Sequence, residues 1–249
     1  MAVDPKHATQ SRKIYIGCSG WAYPTWKPDF YPPSTPAKKF LEYYATRLNS
    51  VEVNYTFRAL PNQTTIHSWL AAAGDHFRFS FKAPQRITHI ARLKNCLEPL
   101  EAFARALVPV AEANRLGVIL FQLPPTMKAD PALLENFLTH ALKTGYRLSF
   151  EFRHASWLAP PVYQLLEKYG VALCLAESEK LVIPEVVTAN FVYSRLRMPE
   201  YTPEDRKEIA ARADQLLQKG QDVYVYFKHE ETAAGALYAE ELLKTQSPG

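Results

Sequence analysis

Eight short β-rich runs recur along the chain, each separated from the next by a stretch with helical start or stop signals. They are Ile14–Cys18, Val51–Asn54, Phe77–Lys82, Gly117–Gln122, Arg147–Arg153, Val171–Leu175, Phe191–Arg195 and Asp222–Lys228. Each is built of β-branched, aromatic or leucine residues, as strands prefer. Between them, Pro36 follows Ser34 and Thr35, and Pro131 follows Asp130. Thr202, Pro203, Glu204 and Asp205 supply a cap, a first-turn proline and acidic residues. Gly74, Gly145, Gly170 and Gly220 stand where helices should end. Strand–helix alternation demands a parallel sheet with right-handed crossovers. Eight repeats in about 230 residues match an α/β fold of the single (β/α)8, TIM-type barrel kind. An open doubly wound sheet is the competitor, but the glycine-rich phosphate fingerprint is missing after the first strand, because Gly17-Cys18-Ser19-Gly20 opens no helix.

Two departures from regularity are expected. The stretch Ala176–Ala189 contains Pro184 and is too short for a full crossover helix, so the sixth helix is degenerate. Long loops follow strands 1 and 3, over Ser19–Pro36 and Ala83–Asn95. Loops after strands form the working face of such barrels. Residues 1–13 are polar, lack the apolar stretch of a signal peptide and read as a flexible N-terminal segment before one barrel domain over 14–245.

Composition narrows the function classes. The 249 residues are 47% hydrophobic and 22% charged, which excludes disordered and fibrous chains. The net charge of +4 is too mild to imply nucleic acid by itself. No apolar run is long enough for a membrane helix. Cys18, Cys96 and Cys174 fit no zinc or redox spacing and read as buried thiols in a reducing cytoplasm.

Side-chain direction alternates along a strand, so one parity of each run points into the barrel. That parity ends in polar residues. Strand 1 leads to Ser19, strand 2 offers Glu52 and Asn54, and strand 3 offers Lys82 with Arg78 at its lower end. Strand 4 offers Gln122, strand 5 Glu151 and Arg153, strand 6 leads to Glu177, strand 7 offers Arg195 and strand 8 Lys228. Buried charges cost several kcal/mol each, roughly, unless they are paired or meet a ligand. A self-satisfied ring is the bland reading; a ligand site at the C-terminal face is the sharper one. Four cations (Lys82, Arg153, Arg195, Lys228) against three carboxylates (Glu52, Glu151, Glu177) favour an anionic ligand. Glu52, Lys82 and Glu151 are the candidate catalytic groups for acid–base chemistry. The candidate ligand-binding residues are Trp21, Tyr23, Asn54, His89, Gln122, Arg153, Trp157, Arg195 and Lys228. Trp21 and Tyr23 either stack on a flat group at the mouth or join Trp26, Phe30 and Tyr31 in a rigid cover. No cofactor is predicted. A metal would need single ligands from several strands, among Glu52, His89, Glu151, His154, Glu177 and His229, and the neighbouring cations oppose it.

Several segments, in order, resemble the domain of unknown function 72, or YecE-like, family. They are Gly17–Tyr23, Phe30-Tyr31-Pro32, Val51–Phe57, Phe81–His89, Phe121–Pro125, Glu151–Trp157 and Tyr224–Phe227. The resemblance implies a TIM-type barrel and leaves the activity unassigned. It also marks departures at Arg58, Glu177, Arg197 and Lys228, most of which add positive charge. Three function classes therefore stand. The first is an enzyme acting on a small phosphate- or carboxylate-bearing substrate, with its reaction class open between hydrolase, lyase and isomerase. The second is a nucleic-acid binder or phosphodiesterase using Arg58, Arg86, Arg92, Lys94 and the aromatic loop. The third is a non-catalytic ligand-binding barrel. Neither a membrane partner nor an oligomeric state is implied.

Overall fold

A computed structural model describes residues 13–246. Eight parallel strands close into a barrel in chain order, with β1 pairing both β2 and β8. The strands are β1 Ile14–Cys18, β2 Ser50–Val53, β3 Arg78–Lys82, β4 Leu116–Gln122, β5 Arg147–Glu151, β6 Ala172–Ala176, β7 Phe191–Leu196 and β8 Asp222–Phe227. Seven α-helices are found among the described residues: α1 Phe40–Arg47, α2 Gln63–Ala72, α3 Leu97–Glu112, α4 Pro131–Ala141, α5 Pro160–Tyr169, α6 Pro203–Gln218 and α7 Ala234–Gln246. The expected alternation is present in all eight units but one, since no helix joins β6 to β7. Of the expected flexible segment 1–13, only Lys13 is described, and its backbone N–H donates to Asp222 Oδ1 at 3.1 Å; residues 1–12 lie outside the described residues. No described helix is long and apolar enough to cross a membrane.

Local signals act where the residues allow. The Asp130 carboxylate accepts from Leu133 N, and Thr202 with Asp205 forms a reciprocal capping box. Gly145 and Gly170 end their helices with φ of 70° and 63°, the left-handed region where a Cβ would be strained. The Ser34–Pro36 signal caps no helix directly. Pro36 instead leads into a short 3-10 turn, Ala37–Lys39, and α1 starts after it.

The barrel wall separates two cores. Outside it, aromatic and aliphatic residues of every strand pack on the helices in one continuous cluster. Inside, Tyr15, Val118, Leu120, Ala172, Cys174, Tyr193, Tyr224 and Tyr226 form a second, smaller cluster. The interior is not wholly aliphatic. The Tyr226 hydroxyl donates to Ser80 Oγ at 2.8 Å and lies 2.6 Å from Ser50 Oγ, so its polar end is satisfied within the wall. The long loop after β1 is a rigid cover: Trp26, Phe30 and Tyr31 are buried, Tyr31 stacks on Phe40 at 4.2 Å, and the Trp26 indole donates to His229 O. All three cysteines are free and buried, and burial pushes each thiol above its ordinary pKa.

Candidate functional site

Inward-pointing ends of β2, β5 and β7 meet at the C-terminal mouth. There Arg195, at 1% exposure, bridges two glutamates. Its guanidinium donates to Glu52 Oε1 at 2.7 Å and to Glu151 Oε2 at 2.6 Å. Glu52 also accepts from Ser19 Oγ at 2.7 Å and from the Tyr193 hydroxyl at 2.6 Å. Glu151 accepts from Gln122 Nε2 at 2.9 Å, Arg153 Nε at 2.9 Å and Arg197 at 3.1 Å. Burial alone would push the Glu151 carboxyl up, but Arg195, Arg153 and the bond from Gln122 outweigh it and hold the group below the ordinary carboxylate range. The same carboxylates hold the Arg195 charge firmly in place against its burial.

Lys82 stands beside this network and outside it. It ends β3, is half-buried, and its amine has no hydrogen-bonded or ion-paired partner among the described residues. It lies 4.0 Å from the centre of the Phe57 ring. Burial first, and then the Arg195 charge, lower its pKa to about 8, with Glu52 and Glu151 pulling the other way. His89, on a helical turn after β3, is held below the usual imidazole value by burial and by Lys82 and Arg153, so it is neutral near pH 7. Its Nδ1 is 2.9 Å from Thr88 Oγ1, and its ring meets Phe57 edge-on. The loop that follows holds Arg92, Leu93 and Asn95 at positive φ, a conformation non-glycine residues keep only where surroundings impose it.

Three buried polar atoms at this mouth lack partners: Asn54 Oδ1, Arg195 Nε and Arg197 Nε. Each costs about 1–3 kcal/mol if it stays dry and unbonded. A cleft of about 570 Å³ opens over the ends of β5, β6 and β7, with Glu151, Arg153, Arg197 and Pro199 in its wall. That volume suits a small molecule.

The structure therefore brings together Glu52, Lys82, His89, Gln122, Glu151, Arg153 and Arg195, with Asn54 at the neighbouring strand end. It moves two expected residues, Trp157 and Lys228, elsewhere and shifts a third, Glu177, from the lumen to the cleft wall. Trp157 is fully buried, stacks on Phe152 at 4.7 Å and donates its indole N–H to Met127 O, so it packs the barrel flank. Lys228 falls after β8 has ended, is exposed, and its amine lies 3.6 Å from Glu230. Glu177 is not a lumen carboxylate, because β6 points Ala172, Cys174 and Ala176 inward, but it stays in the wall of the cleft. It accepts from Arg197 N at 2.6 Å, Met198 N and the Tyr201 hydroxyl, and so pins the chain after β7. Both rings at the start of the first loop are half-buried: Trp21 meets Trp69 of α2 edge-on, and the Tyr23 hydroxyl donates to Ser19 O at the first strand end. His154 caps a short 3-10 turn by accepting from Ser156 N. Among the described residues, no three His, Cys, Asp or Glu side chains are arranged to hold a metal ion. Of the basic residues expected to serve a nucleic-acid surface, Arg86 pairs with Glu98 and Arg92 donates to Thr126.

Sequence reasoning missed Tyr193, Arg197 and Phe57 as parts of this mouth. The first two carried a readable signal, since they lie two residues either side of Arg195 and share its parity. Phe57 follows β2 in a short helical turn and carried none.

The profile of the family described as "Protein of unknown function DUF72" matches residues 15–247. The chain is 30% identical over 157 residues to the UPF0759 protein YunF of Bacillus subtilis, covering 61% of this chain and 54% of that protein. It is 34% identical over 148 residues to the UPF0759 protein YecE of Escherichia coli K12, covering 59% of this chain and 50% of that one. Each match thus spans about half the length of the relative. A crystal structure of a DUF72 family protein from Thermotoga maritima superposes with a TM-score of 0.83 at 25% identity, over 94% of this chain and 99% of that chain.

Proposed function

We propose, from the premise that the chain belongs to the DUF72 family of unknown function, that it is an enzyme for a small phosphate- or carboxylate-bearing substrate. The substrate binds at the C-terminal mouth, and Lys82 is the group that moves a proton. The observation that carries this is the state of the two buried carboxylates: both are saturated by partners, while the Lys82 amine beside them has none. Glu52 and Glu151, first read as acid–base groups, become positioning residues that hold arginines. Around the buried network four cations (Lys82, Arg153, Arg195, Arg197) stand against these two carboxylates, a local surplus that an anion neutralises, while Glu177, Glu179 and Lys180 stand farther along the cleft wall.

The roles follow from exposure and acidity. The Arg153 side chain is 37% exposed and that of Arg197 18%, so their outer N–H groups face the cleft and bind the anionic group. With a pKa of about 8, the Lys82 ammonium is mostly protonated at pH 7 and gives its proton to oxygen charge that develops in the transition state. That proton leaves on the product, and solvent at the open mouth reprotonates the amine before the next turnover. Asn54 Oδ1 accepts from a substrate hydroxyl or amide, which removes its cost of burial.

The test is a thermal-shift panel on the full chain with phosphate, sulfate, sugar phosphates and small carboxylates, followed by NMR of each stabilising compound for conversion. At 100 times its dissociation constant a ligand adds about 2.7 kcal/mol. For a chain of this length that is several degrees, at roughly 2–4 °C per kcal/mol. The expected result is selective stabilisation by one anion class, lost in Arg153→Gln, with conversion lost in Lys82→Met. Stabilisation by no anion, or conversion untouched by Lys82→Met, overturns the proposal.

A further inference from the structure

The opposite mouth of the barrel holds a second cavity, of about 440 Å³, framed by Lys13, Tyr15, Arg78, Arg147, Asp222 and Tyr224. Nothing in the proposed chemistry uses it. Its charged side chains are three cations, Lys13, Arg78 and Arg147, and one carboxylate, Asp222. Arg147 donates to Asp222 at 2.8 Å and to the Tyr224 hydroxyl at 3.2 Å, so that arginine and that carboxylate cancel. Arg78 and Lys13 then remain without any carboxylate partner among the described residues. The Arg78 guanidinium lies over the Tyr15 ring at 5.6 Å and gives one nitrogen to the carbonyls of Asp75 and Phe77. Tyr15 stacks on Tyr224 at 4.7 Å and floors the cavity.

The backbone keeps this space open. β4 slips register against β3 between Phe79 and Phe81, and Gly117 lines the cavity at that point. A Cβ on Gly117 would stand 2.6 Å from Ser80 Oγ and 3.3 Å from Tyr224 Cε1, so the position carries no side chain to fill the mouth. One effect opposes an anion: helix C-termini, with their negative dipole ends, surround this face. Arginine donors already spent on carbonyls reduce that field, Arg78 on Asp75 O and Arg115 on Leu70 O. Two uncancelled cations and two tyrosine hydroxyls still face the cavity.

From this we propose a second binding site, at the N-terminal mouth, for a phosphoryl group held by Arg78 and Lys13. Its ligand is free phosphate or a small phosphate monoester, for which the cavity has room. The N-terminal end of such barrels ordinarily serves stability alone. Here it carries a ligand whose binding steadies the strand ends, a role independent of chemistry at the other mouth.

The test is calorimetric titration of the intact protein with inorganic phosphate and, separately, glycerol phosphate. A Lys82→Met/Arg153→Gln background removes the C-terminal mouth. One binding site is expected to persist there, to weaken by about tenfold or more in Arg78→Gln and by a few-fold in Lys13→Ala. The stronger of the two titrants identifies the source of the phosphoryl group, and either order supports the site. Absence of phosphate binding in that background overturns the proposal, as does unchanged affinity in Arg78→Gln. Should circular dichroism show that Arg78→Gln does not fold, Lys13→Ala at the exposed cavity edge decides instead. Phosphate binding lost only in the Lys82→Met/Arg153→Gln background would sink this site and leave the first proposal standing; binding kept in that background and lost in Arg78→Gln supports this site and does not bear on the first proposal.

Discussion

The two mouths of the barrel contain the same trio of groups, an arginine, a carboxylate and a tyrosine, in opposite surroundings. At the C-terminal mouth the side chains of Arg195, Glu52 and Glu151 are at most 2% exposed, and Tyr193 is fully buried. At the N-terminal mouth the side chains of Arg147 and Asp222 are 37% and 18% exposed. Equal chemistry has unequal consequences. Water screens the lower pair and makes it cheap to break. The upper group is all or none, because removing one partner leaves buried charge without compensation. Lys82 stands beside that network with its acidity displaced first by its own burial and then by the Arg195 charge.

The largest effect expected is that of Arg195→Met, which strands two buried glutamates and should cost about 3–5 kcal/mol by urea denaturation. A loss below about 1 kcal/mol would mean that the upper network is no stronger than a surface pair. Lys82→Met should act in the other direction. The Lys82 pKa of about 8 lies below its unfolded value, so between pH 8 and about 10.4 the unfolded chain binds more protons and wild-type stability rises with pH. Below pH 8 the buried ammonium is a standing cost of about 1–3 kcal/mol, which Lys82→Met relieves. Denaturation at pH 7 and pH 10 should therefore show a more stable variant whose alkaline rise is gone.

Glu151 predicts the acid limb. Its folded pKa is depressed, so its contribution is complete above the ordinary glutamate range and is lost as pH falls through the depressed value. Glu151→Gln should flatten that limb of the stability–pH curve, at the cost of one of the two carboxylate partners of Arg195. The smallest effect is expected at the lower mouth. Arg147→Gln should change stability by no more than about 1 kcal/mol, and 1 M salt should erase the difference. A salt-insensitive loss as large as that of Arg195→Met would erase the contrast between the mouths.

Much of the fold was legible because it rests on local rules. The strand starts and ends fell within about two residues of the β-rich runs, as boundary reading allows, and the missing helix before β7 followed from Pro184 and a short connection. The site was legible wherever parity held through the end of a strand, as at Glu52, Lys82, Gln122, Glu151 and Arg195. It failed where the chain turned. Lys228 keeps the inward parity of Tyr224 and Tyr226, yet β8 stops at Phe227 and the lysine swings to solvent. Glu177 was counted inward across the end of β6, and Trp157 looked like a rim aromatic although Phe152 and Met127 enclose it.

The order of residues by itself determined the alternating architecture, the closed parallel barrel and the face on which charges collect. Those follow from periods of two and 3.6 residues and from the handedness of crossovers, all of which act over short stretches. Which carboxylate meets which arginine was decided only in three dimensions. Glu52 and Arg195 are 143 residues apart, and Glu151 and Arg195 are 44. Barrel closure sets those distances, and burial then converts a hydrogen bond of ordinary length into a fixed charge pattern. Lys82 is left as the unbonded amine because the arginines reach the carboxylates first, an outcome of competing distances that no local pattern encodes.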